Sequence, residues 1–174
     1  KSTLLHTLST LLHSDKGTIS LLGEDISKMS KSKLAKLKRN KLGLVFQSHY
    51  LFKGFSAYEN LEVAEILSKQ SIDKELLKKL NITHCLEQKV TELSGGEQQR
   101  VSIARVLTKQ PTLIFADEPT GNLDSKTAQD VINLFFEYIQ KNHAGMILVT
   151  HDEHLAYMCS KVYKLEDKIL TQIK

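Results

Sequence analysis

Short apolar runs alternate with longer segments of helical periodicity along the chain. LGLVF, PTLIFADEP and GMILVTHD each contain a short apolar run, and this pattern predicts buried strands. Two prolines bound the second of these segments. In SGGEQQRVSIARVLTK and DSKTAQDVINLFFEYIQKN, apolar residues recur at helical spacing, which is typical of amphipathic helices. Strands that alternate with helices predict an α/β fold with a parallel sheet.

The remaining segments extend this pattern. Five leucines from Leu4 to Leu12 share one helical face, and Gly17 ends the predicted helix. TISLLGEDI predicts a strand and a turn, SKMSKSKLAKLKRNK a basic helix or loop, EHLAYMC a short helix, and KVYKLEDKILTQIK two short strands. Within residues 48–100, the apolar residues that recur regularly do so at helical spacing, as in YENLEVAEILSK and DKELLKKL. They are predicted to form an insertion into the sheet.

The composition suits one globular domain. The chain has 174 residues, of which 41% are hydrophobic and 25% charged, enough for a sizeable core. A net charge of +4 is weak evidence for a polyanionic partner. Cys85 and Cys159 form no CxxC pair, which argues against structural zinc and favours a reducing compartment. No apolar run approaches the roughly 20 residues that span a bilayer.

Two carboxylates follow the run LIFA in TLIFADEPTGNLD. In an open α/β sheet, ligands bind at the carboxyl ends of the strands. Asp117 suits a Mg²⁺ ligand, and Glu118 suits a general base that orients and deprotonates a water molecule. An isolated Asp-Glu pair would indicate only a loop. Directly after a buried strand and before Pro119, the pair predicts a catalytic site.

LSGGEQQR is the most specific stretch of the sequence. Ser94 and Glu97 have the spacing of a capping box at a helix start. Capping does not explain Gly95 and Gly96, because glycine in a first turn lowers helix stability. The two glycines make sense if an anion approaches the bare backbone N–H groups there.

Three further positions are weak alone. Gln47 and His151 each follow a predicted strand, where a surface amide or a loop histidine is also plausible. The H-x-x-H formed by His151 lacks the adjacent glutamate of a zinc protease, whereas a histidine at a strand end can donate to a phosphate. The opening Lys1-Ser2 matches the last two positions of the P-loop G-x-x-x-x-G-K-[ST], before a predicted helix.

The ordered set of these motifs resembles the ATP-binding cassette (ABC) ATPase, the nucleotide-binding domain of ABC transporters. The matching positions are the end of Walker A at Lys1, Ser2 and Thr3, the Q-loop at Gln47, the signature LSGGE at 93–97, Walker B at Asp117, the catalytic Glu118, the D-loop Asp124 and the switch His151. ADEPTGNLD and LVFQSHYLFKGFSAYENLEVAEIL look more particularly like the lipoprotein-releasing (LolD-type) group, whose close relatives are the MacB-type exporters and FtsE-type cell-division ATPases.

The resemblance implies a P-loop NTPase (RecA-like) core at residues 1–47 and 101–174, with a helical subdomain at 48–100 that carries the signature. The whole chain, 1–174, then forms one ABC domain. The family also has N-terminal strands and P-loop glycines before this lysine. We therefore expect a fragment that begins inside its own phosphate-binding loop and binds ATP poorly alone. Smaller departures are Lys53 for proline, Lys168 for glycine, and Glu97 for glutamine.

The resemblance also implies a mechanism in which two such domains face head to tail around ATP and Mg²⁺. The implied roles are these: Lys1, Ser2 and Thr3 hold phosphate; Ser2, Gln47 and Asp117 complete the metal and water shell; Glu118 positions the lytic water; His151 holds the γ-phosphate; Ser94, Gly95, Gly96 and Glu97 contact the partner's nucleotide; and Asp124 connects the two sites. A helix N-cap is an equally plausible role for Asp124.

The implied partners are a second ATPase domain and membrane permease subunits that dock near residues 48–60, on the cytoplasmic side of the inner membrane. The four aromatic residues in SHYLFKGFSAY could dock there or pack inside the subdomain. The basic run from Lys28 to Lys41 could be a solvated face or could attract anionic lipid.

No nucleic-acid partner is expected. Only 46 residues separate Gln47 from Ser94, which argues against a DNA-repair ABC ATPase. Besides a transporter ATPase and a DNA-repair ATPase, the remaining alternative is a catalytically incompetent cassette.

Overall fold

The computed structural model describes residues 1–174 as seven α-helices and seven strands. The helices are α1 (Ser2–Leu8), α2 (Lys31–Asn40), α3 (Ala57–Ser68), α4 (Lys74–Lys79), α5 (Gly95–Thr108), α6 (Ser125–Asn142) and α7 (Glu153–Met158). The strands are β1 (Ser20–Leu21), β2 (Glu24–Asp25), β3 (Leu42–Val45), β4 (Leu113–Asp117), β5 (Gly145–Val149), β6 (Tyr163–Glu166) and β7 (Ile169–Gln172).

A three-stranded parallel sheet, in the order β3-β4-β5, forms the centre of the fold. Leu113 pairs with Leu42 on one side and with Gly145 on the other. The carboxyl ends of all three strands therefore meet at one edge of the sheet. Sequence analysis predicted these strands and their parallel arrangement, and the structure confirms both.

The central strand β4 is buried on both faces. Ile114 and Ala116 pack into the larger apolar core with residues of α5 and α6, and Phe115 points the other way, against Leu5 of α1 and Leu42 of β3. All three β4 side chains are fully buried. Burial on both faces explains the continuous apolar run, because neither face of this strand meets water.

The first helix is shorter than predicted. It ends at Leu8, whereas the leucine pattern continues to Leu12. Thr10 adopts the left-handed conformation with φ +67°, and its N–H donates to the Thr7 carbonyl at 3.1 Å. This geometry is a common helix C-terminal cap. Leu11 and Leu12 are consequently 48% and 46% exposed, so their helical spacing does not reflect a buried face.

The segment between β3 and β4 contains no strand, in agreement with the predicted helical insertion. Helix α5 packs closely on β3, since a Cβ added to Gly43 would lie 2.7 Å from Val106 Cγ1. The predicted boundary between residues 100 and 101 falls inside α5 (Gly95–Thr108). The division into a core and a subdomain therefore stays a prediction.

The polar segments near both ends form small hairpins or helices. TISLLGEDI becomes the antiparallel pair β1-β2, and the predicted tail strands become the antiparallel pair β6-β7. The basic segment forms helix α2, whose N-cap is Ser30. Asp167 and Lys168 join β6 to β7 with φ values of +49° and +66°, where glycine is usually favoured. None of the helices has the length and apolar character needed to cross a membrane.

Candidate functional site

Asp117, the last residue of β4, lies beside the start of helix α1. Ser2 Oγ donates to Asp117 Oδ1 at 3.1 Å, and His6 Nε2 lies 3.6 Å from Asp117 Oδ2. The His6 nitrogen is buried and has no hydrogen-bond partner. Sequence analysis predicted Ser2 and Asp117 as Mg²⁺ ligands, and the structure brings them together. A hydroxyl and a carboxylate oxygen are donors that fit Mg²⁺.

Glu118 is held by the end of strand β5. Its backbone N–H donates to the Val149 carbonyl at 2.9 Å, and its φ is +47°. Its Oε1 lies 2.8 Å from His151 Nδ1, and Thr150 Oγ1 lies 3.4 Å from its Oε2. A glutamate in the left-handed region is strained, and such strain often occurs at functional sites. The structure thus pairs the two residues predicted to be catalytic.

The three opening residues lie at the same strand edge or beside it. Lys1 Nζ donates to the Thr150 carbonyl at 3.0 Å, which brings the amine next to the residue that precedes His151. Ser2 is the first residue of α1. Thr3 is exposed, and its carbonyl accepts from Thr7 Oγ1 within α1 at 2.9 Å. Lys1 and Ser2 therefore join the strand-end group by direct contact, whereas Thr3 does not.

Gln47 lies two residues beyond β3, against the loop that follows β4. Asn122 Nδ2 donates to the Gln47 carbonyl at 3.1 Å. The buried Gln99 of α5 donates from Nε2 to the Pro119 carbonyl of the same loop at 2.8 Å. These contacts join the predicted Q-loop, the loop after β4 and helix α5.

Helix α5 also holds the residues that follow Gln47. Ser102 Oγ donates to the His49 carbonyl at 3.0 Å, and Arg105 Nη1 donates to the Tyr50 carbonyl at 2.9 Å. His49 and Tyr50 have positive φ values of +37° and +47°. Side-chain donors from α5 thus fix a backbone that would otherwise be unfavourable for these residue types.

Sequence analysis did not assign roles to several residues that support the site: His6, Gln99, Ser102, Arg105, Asn122 and Thr150. Gln99 and Ser102 carry a weak signal, since both are polar residues on the buried face of an amphipathic helix. Polar side chains on such a face require partners. The other four have no comparable pattern in the sequence, because their partners lie far away along the chain.

The signature segment forms the predicted capping box at the start of α5. Ser94 Oγ accepts from the Glu97 N–H at 3.3 Å, and Glu97 Oε2 accepts from the Ser94 N–H at 2.8 Å and from Ser94 Oγ at 2.7 Å. The other carboxylate oxygen, Oε1, lies 3.0 Å from His84 Nε2. The Ser94 bonds are the main cause, and His84 a smaller one, of a Glu97 pKa lowered to about 2.

Gly95 and Gly96 are not required by the fold. Neither has a positive φ, and a Cβ added to Gly95 would meet no atom within 4 Å. A Cβ on Gly96 would meet the flexible end of Arg100 at 3.3 Å. Steric packing therefore does not explain two glycines in a helical first turn, which leaves the approach of a ligand to the backbone as the stronger explanation.

Asp124 caps helix α6. Its Oδ1 accepts from the Thr127 N–H at 3.1 Å, and this interaction with Thr127 lowers the pKa of Asp124. The structure confirms the alternative that sequence analysis left open for this residue, an N-cap. A contact between two ATP sites stays a prediction and does not conflict with capping, because the second carboxylate oxygen is free of that bond.

The aromatic residues after Gln47 lie largely at the surface. Tyr50 is 65% exposed, Phe52 49%, Phe55 42% and Tyr58 39%. Phe52 and Phe55 contact each other with ring centroids 5.5 Å apart, and the Arg105 guanidinium lies 6.0 Å from the Phe52 centroid. Clustered surface aromatics of this kind are typical of protein interfaces.

Comparison with known proteins shows the family of this chain. The ABC transporter family matches residues 1–121. The lipoprotein-releasing system ATP-binding protein LolD of Hahella chejuensis is 38% identical over 180 residues, covering 99% of this chain and 78% of the relative. LolD of Pseudomonas fluorescens is 40% identical over 179 residues, covering 99% of this chain and 79% of the relative.

A solved structure shows the same fold. The dimeric ATP-binding cassette MJ0796, in a post-hydrolysis state bound to ADP and Pi, superposes with a TM-score of 0.89 at 29% identity. The superposition covers 99% of this chain and 80% of that one. The α/β fold with a parallel sheet and the ABC identity predicted from the sequence are thereby confirmed.

Proposed function

This chain belongs to the ABC transporter family as an ATP-hydrolysing cassette, and we propose that it drives lipoprotein release at the cytoplasmic side of the inner membrane. Support for the cargo comes from 38–40% identity to LolD proteins over nearly the whole chain. ATP and Mg²⁺ are the proposed ligands. The cassette MJ0796 was solved with ADP and Pi bound, which supports a nucleotide site in this fold.

One observation carries the proposed chemistry: two side-chain pairs converge on one sheet edge. The Ser2–Asp117 pair lies at the end of β4, and the Glu118–His151 pair joins the ends of β4 and β5. When bound, Mg²⁺ neutralises charge that develops on the transferred phosphate. Ser2 and Asp117 would hold the ion, and Lys1 would pair with the phosphates.

Glu118 and His151 act on the water and the phosphate in this proposal. Glu118 orients the attacking water and accepts its proton at a carboxylate oxygen. An imidazolium at His151 can donate from Nδ1 to Glu118 and from Nε2 to a phosphate oxygen at the same time. The 2.8 Å contact between Nδ1 and Oε1 orients the ring for this double role.

The signature segment completes a site on a second copy of the cassette. Ser94, Gly95 and Gly96 present a hydroxyl and bare helix N-terminal amides, which suit the phosphate of a nucleotide held by the partner. The dimeric state of MJ0796 supports this arrangement. ATP that contacts both halves favours the closed dimer, and hydrolysis removes that differential affinity.

The exposed aromatic residues provide the proposed contact with membrane permease subunits. They lie within the predicted docking segment, residues 48–60, immediately after Gln47. Bonds from Ser102 and Arg105 tie this segment to α5, the helix that carries the signature. A change at the nucleotide can therefore reach the docking surface through α5 and Gln47.

The test is ATP-dependent release of a lipoprotein from vesicles that contain the cognate permease subunits and the natural ATPase gene product. We expect release with the wild type and none with Glu118→Gln. ATP hydrolysis without lipoprotein release would contradict the proposal that lipoprotein is the cargo. It would favour MacB-type export or an FtsE-type role. A gene product that hydrolyses no ATP in the assembled complex would indicate an incompetent cassette.

A further inference from the structure

A second group of ligating side chains lies beside the signature segment, away from the strand edge. His84 and Cys85 belong to a short 3₁₀ turn, and Glu97 lies in the first turn of α5. His84 Nε2 lies 3.0 Å from Glu97 Oε1, and one ligand atom from each of the three residues lies within 4.8 Å of the others. We propose that His84, Cys85 and Glu97 bind a thiophilic divalent cation of the Zn²⁺ class.

The donor set selects the class of cation. An imidazole nitrogen, a thiolate and a carboxylate oxygen are all common zinc ligands, whereas Mg²⁺ and Ca²⁺ avoid sulfur. Bond lengths of about 2.0–2.3 Å place two ligands of a tetrahedral zinc roughly 3.3–3.8 Å apart. The observed separations, all within 4.8 Å, need a movement of about an ångström. Because His84 Nε2 and Glu97 Oε1 are already 3.0 Å apart, this movement concerns their distances to the Cys85 sulfur. The His84 side chain is 53% exposed and has room to shift.

Glu97 can take an ion without giving up its cap. Its Oε2 bonds Ser94, and its Oε1 faces His84, so the two oxygens serve different partners. Cys85 is buried, and its thiol now donates to the Ile82 carbonyl at 3.2 Å. On binding, a sulfur–metal bond forms, the thiol proton leaves to solvent, and no electron is transferred. A fourth position remains for water.

This site has no recognisable motif, because Glu97 lies twelve positions after Cys85. The absence of a CxxC pair therefore excludes a paired-cysteine site but not this one. The ion would bridge the 3₁₀ turn and α5 and would fix the carboxylate that bonds Ser94. Zinc would thus stabilise the signature segment of the folded chain.

Cobalt titration of the full chain tests the sulfur ligand directly, because Co²⁺ bound to thiolate has a charge-transfer absorption. We expect this band to saturate at one ion per chain, to disappear in Cys85→Ala and to persist in Cys159→Ala. Cys159 is a matched control, because it is the only other cysteine and lies outside the cluster. No band in the wild type, or a band that survives Cys85→Ala, would overturn the proposal.

A second variant keeps the test independent of the buried cysteine. His84→Gln is at the surface and retains a donor for Glu97, so it should fold normally, but an amide is a poor zinc ligand. We expect at least tenfold weaker Zn²⁺ binding by calorimetry and loss of the zinc-dependent rise in melting temperature. An equal rise in the wild type and in His84→Gln would contradict the assignment.

Discussion

The strand-edge cluster and the signature segment are built in opposite ways, although each proposed nucleotide site combines the strand-edge cluster of one copy with the signature segment of its partner. Ser2 comes from α1, and Asp117, Glu118 and His151 lie at or just beyond the ends of β4 and β5. They touch as two side-chain pairs whose members are 115 and 33 positions apart in the chain. The signature residues lie next to one another, and the Ser94–Glu97 bonds close within one helical turn. One half of the site depends on the sheet, and the other half on a single helix start.

The two regions also differ in whether the same side chains serve both folding and ligand binding. At the strand edge, strain at Glu118 and an exposed His151 point to residues arranged for reaction rather than for folding. In the signature segment, the same Ser94 hydroxyl that is proposed to bind phosphate also caps α5. Substitution of Glu118 or His151 should therefore affect turnover far more than folding, whereas loss of the Ser94 cap should affect both turnover and folding.

The largest effect is expected from Glu118→Gln. Loss of the general base should lower ATP turnover by roughly 10²–10⁴-fold, while nucleotide binding and the melting temperature stay close to the wild type. Phosphate release and nucleotide affinity, measured in the assembled complex, give the two readouts. Glu153→Gln, which changes an exposed acid at the start of α7, is the control. A loss of turnover smaller than tenfold would contradict the catalytic role proposed for Glu118.

Two substitutions of Ser94 separate capping from phosphate binding. Ser94→Ala removes the cap and should cost about 1 kcal/mol of folding free energy. Ser94→Asn keeps a good N-cap and an N–H donor for Glu97, but it replaces the hydroxyl with a bulkier amide where phosphate should bind. We expect both variants to lose at least tenfold in turnover, and only Ser94→Ala to lose stability. Urea denaturation and ATPase rates measure the two effects.

Full turnover in Ser94→Asn would show that this hydroxyl only caps the helix. Equal stability losses in both variants would show instead that the cap depends on contacts beyond the hydroxyl oxygen. Either result would weaken the view that one side chain serves folding and ligand binding together.

The two regions also differ in how far the sequence predicts them. The capping box follows from residue types at fixed spacing, so its two reciprocal bonds between Ser94 and Glu97 were predicted. The bond from Ser94 Oγ to Glu97 Oε2 and the His84 contact were not. The order of the strand-end motifs predicted which residues meet at the edge but not the supporting contacts of His6 or Thr150. Those depend on how α1 packs across β4 and β5, which local patterns do not encode.

The end of α1 is a second feature that local sequence patterns did not predict. The leucine periodicity predicted a helix as far as Leu12, but the left-handed Thr10 stops it two residues after Leu8. Threonine carries no strong signal for that conformation, unlike glycine. The tail turn is similar, because Asp167 and Lys168 adopt positive φ without a glycine at either position.

Gly95→Ala sharpens the comparison at the signature helix. Alanine should fit, because its Cβ would meet no atom within 4 Å. Helix propensity predicts a gain of up to about 1 kcal/mol in folding free energy. If an anion approaches the bare amides, the same methyl group should lower ATP turnover several-fold. A variant that is more stable and equally active would show that the glycine has no role in ligand binding.

The smallest expected effect concerns the acid dependence of the Glu97 bonds. The pKa of Glu97 is lowered from 4.5 to about 2, chiefly by Ser94 and less by His84. A lowered pKa means that the folded state favours the ionised carboxylate. Its stabilising effect is therefore fully present above about pH 4.5 and is lost as the pH falls toward 2. Glu97→Gln keeps the cap geometry but does not titrate.

We therefore expect the difference in unfolding free energy between wild type and Glu97→Gln to stay below about 1 kcal/mol near neutral pH, since the carboxylate is partly solvated. The difference should shrink between pH 4.5 and 2. Urea denaturation at several pH values measures it. Glu92→Gln is a matched control, because Glu92 accepts the Lys89 N–H at 3.1 Å but no hydroxyl. If this difference in unfolding free energy did not change with pH, the negative charge of Glu97 would not contribute to the stability of the signature turn.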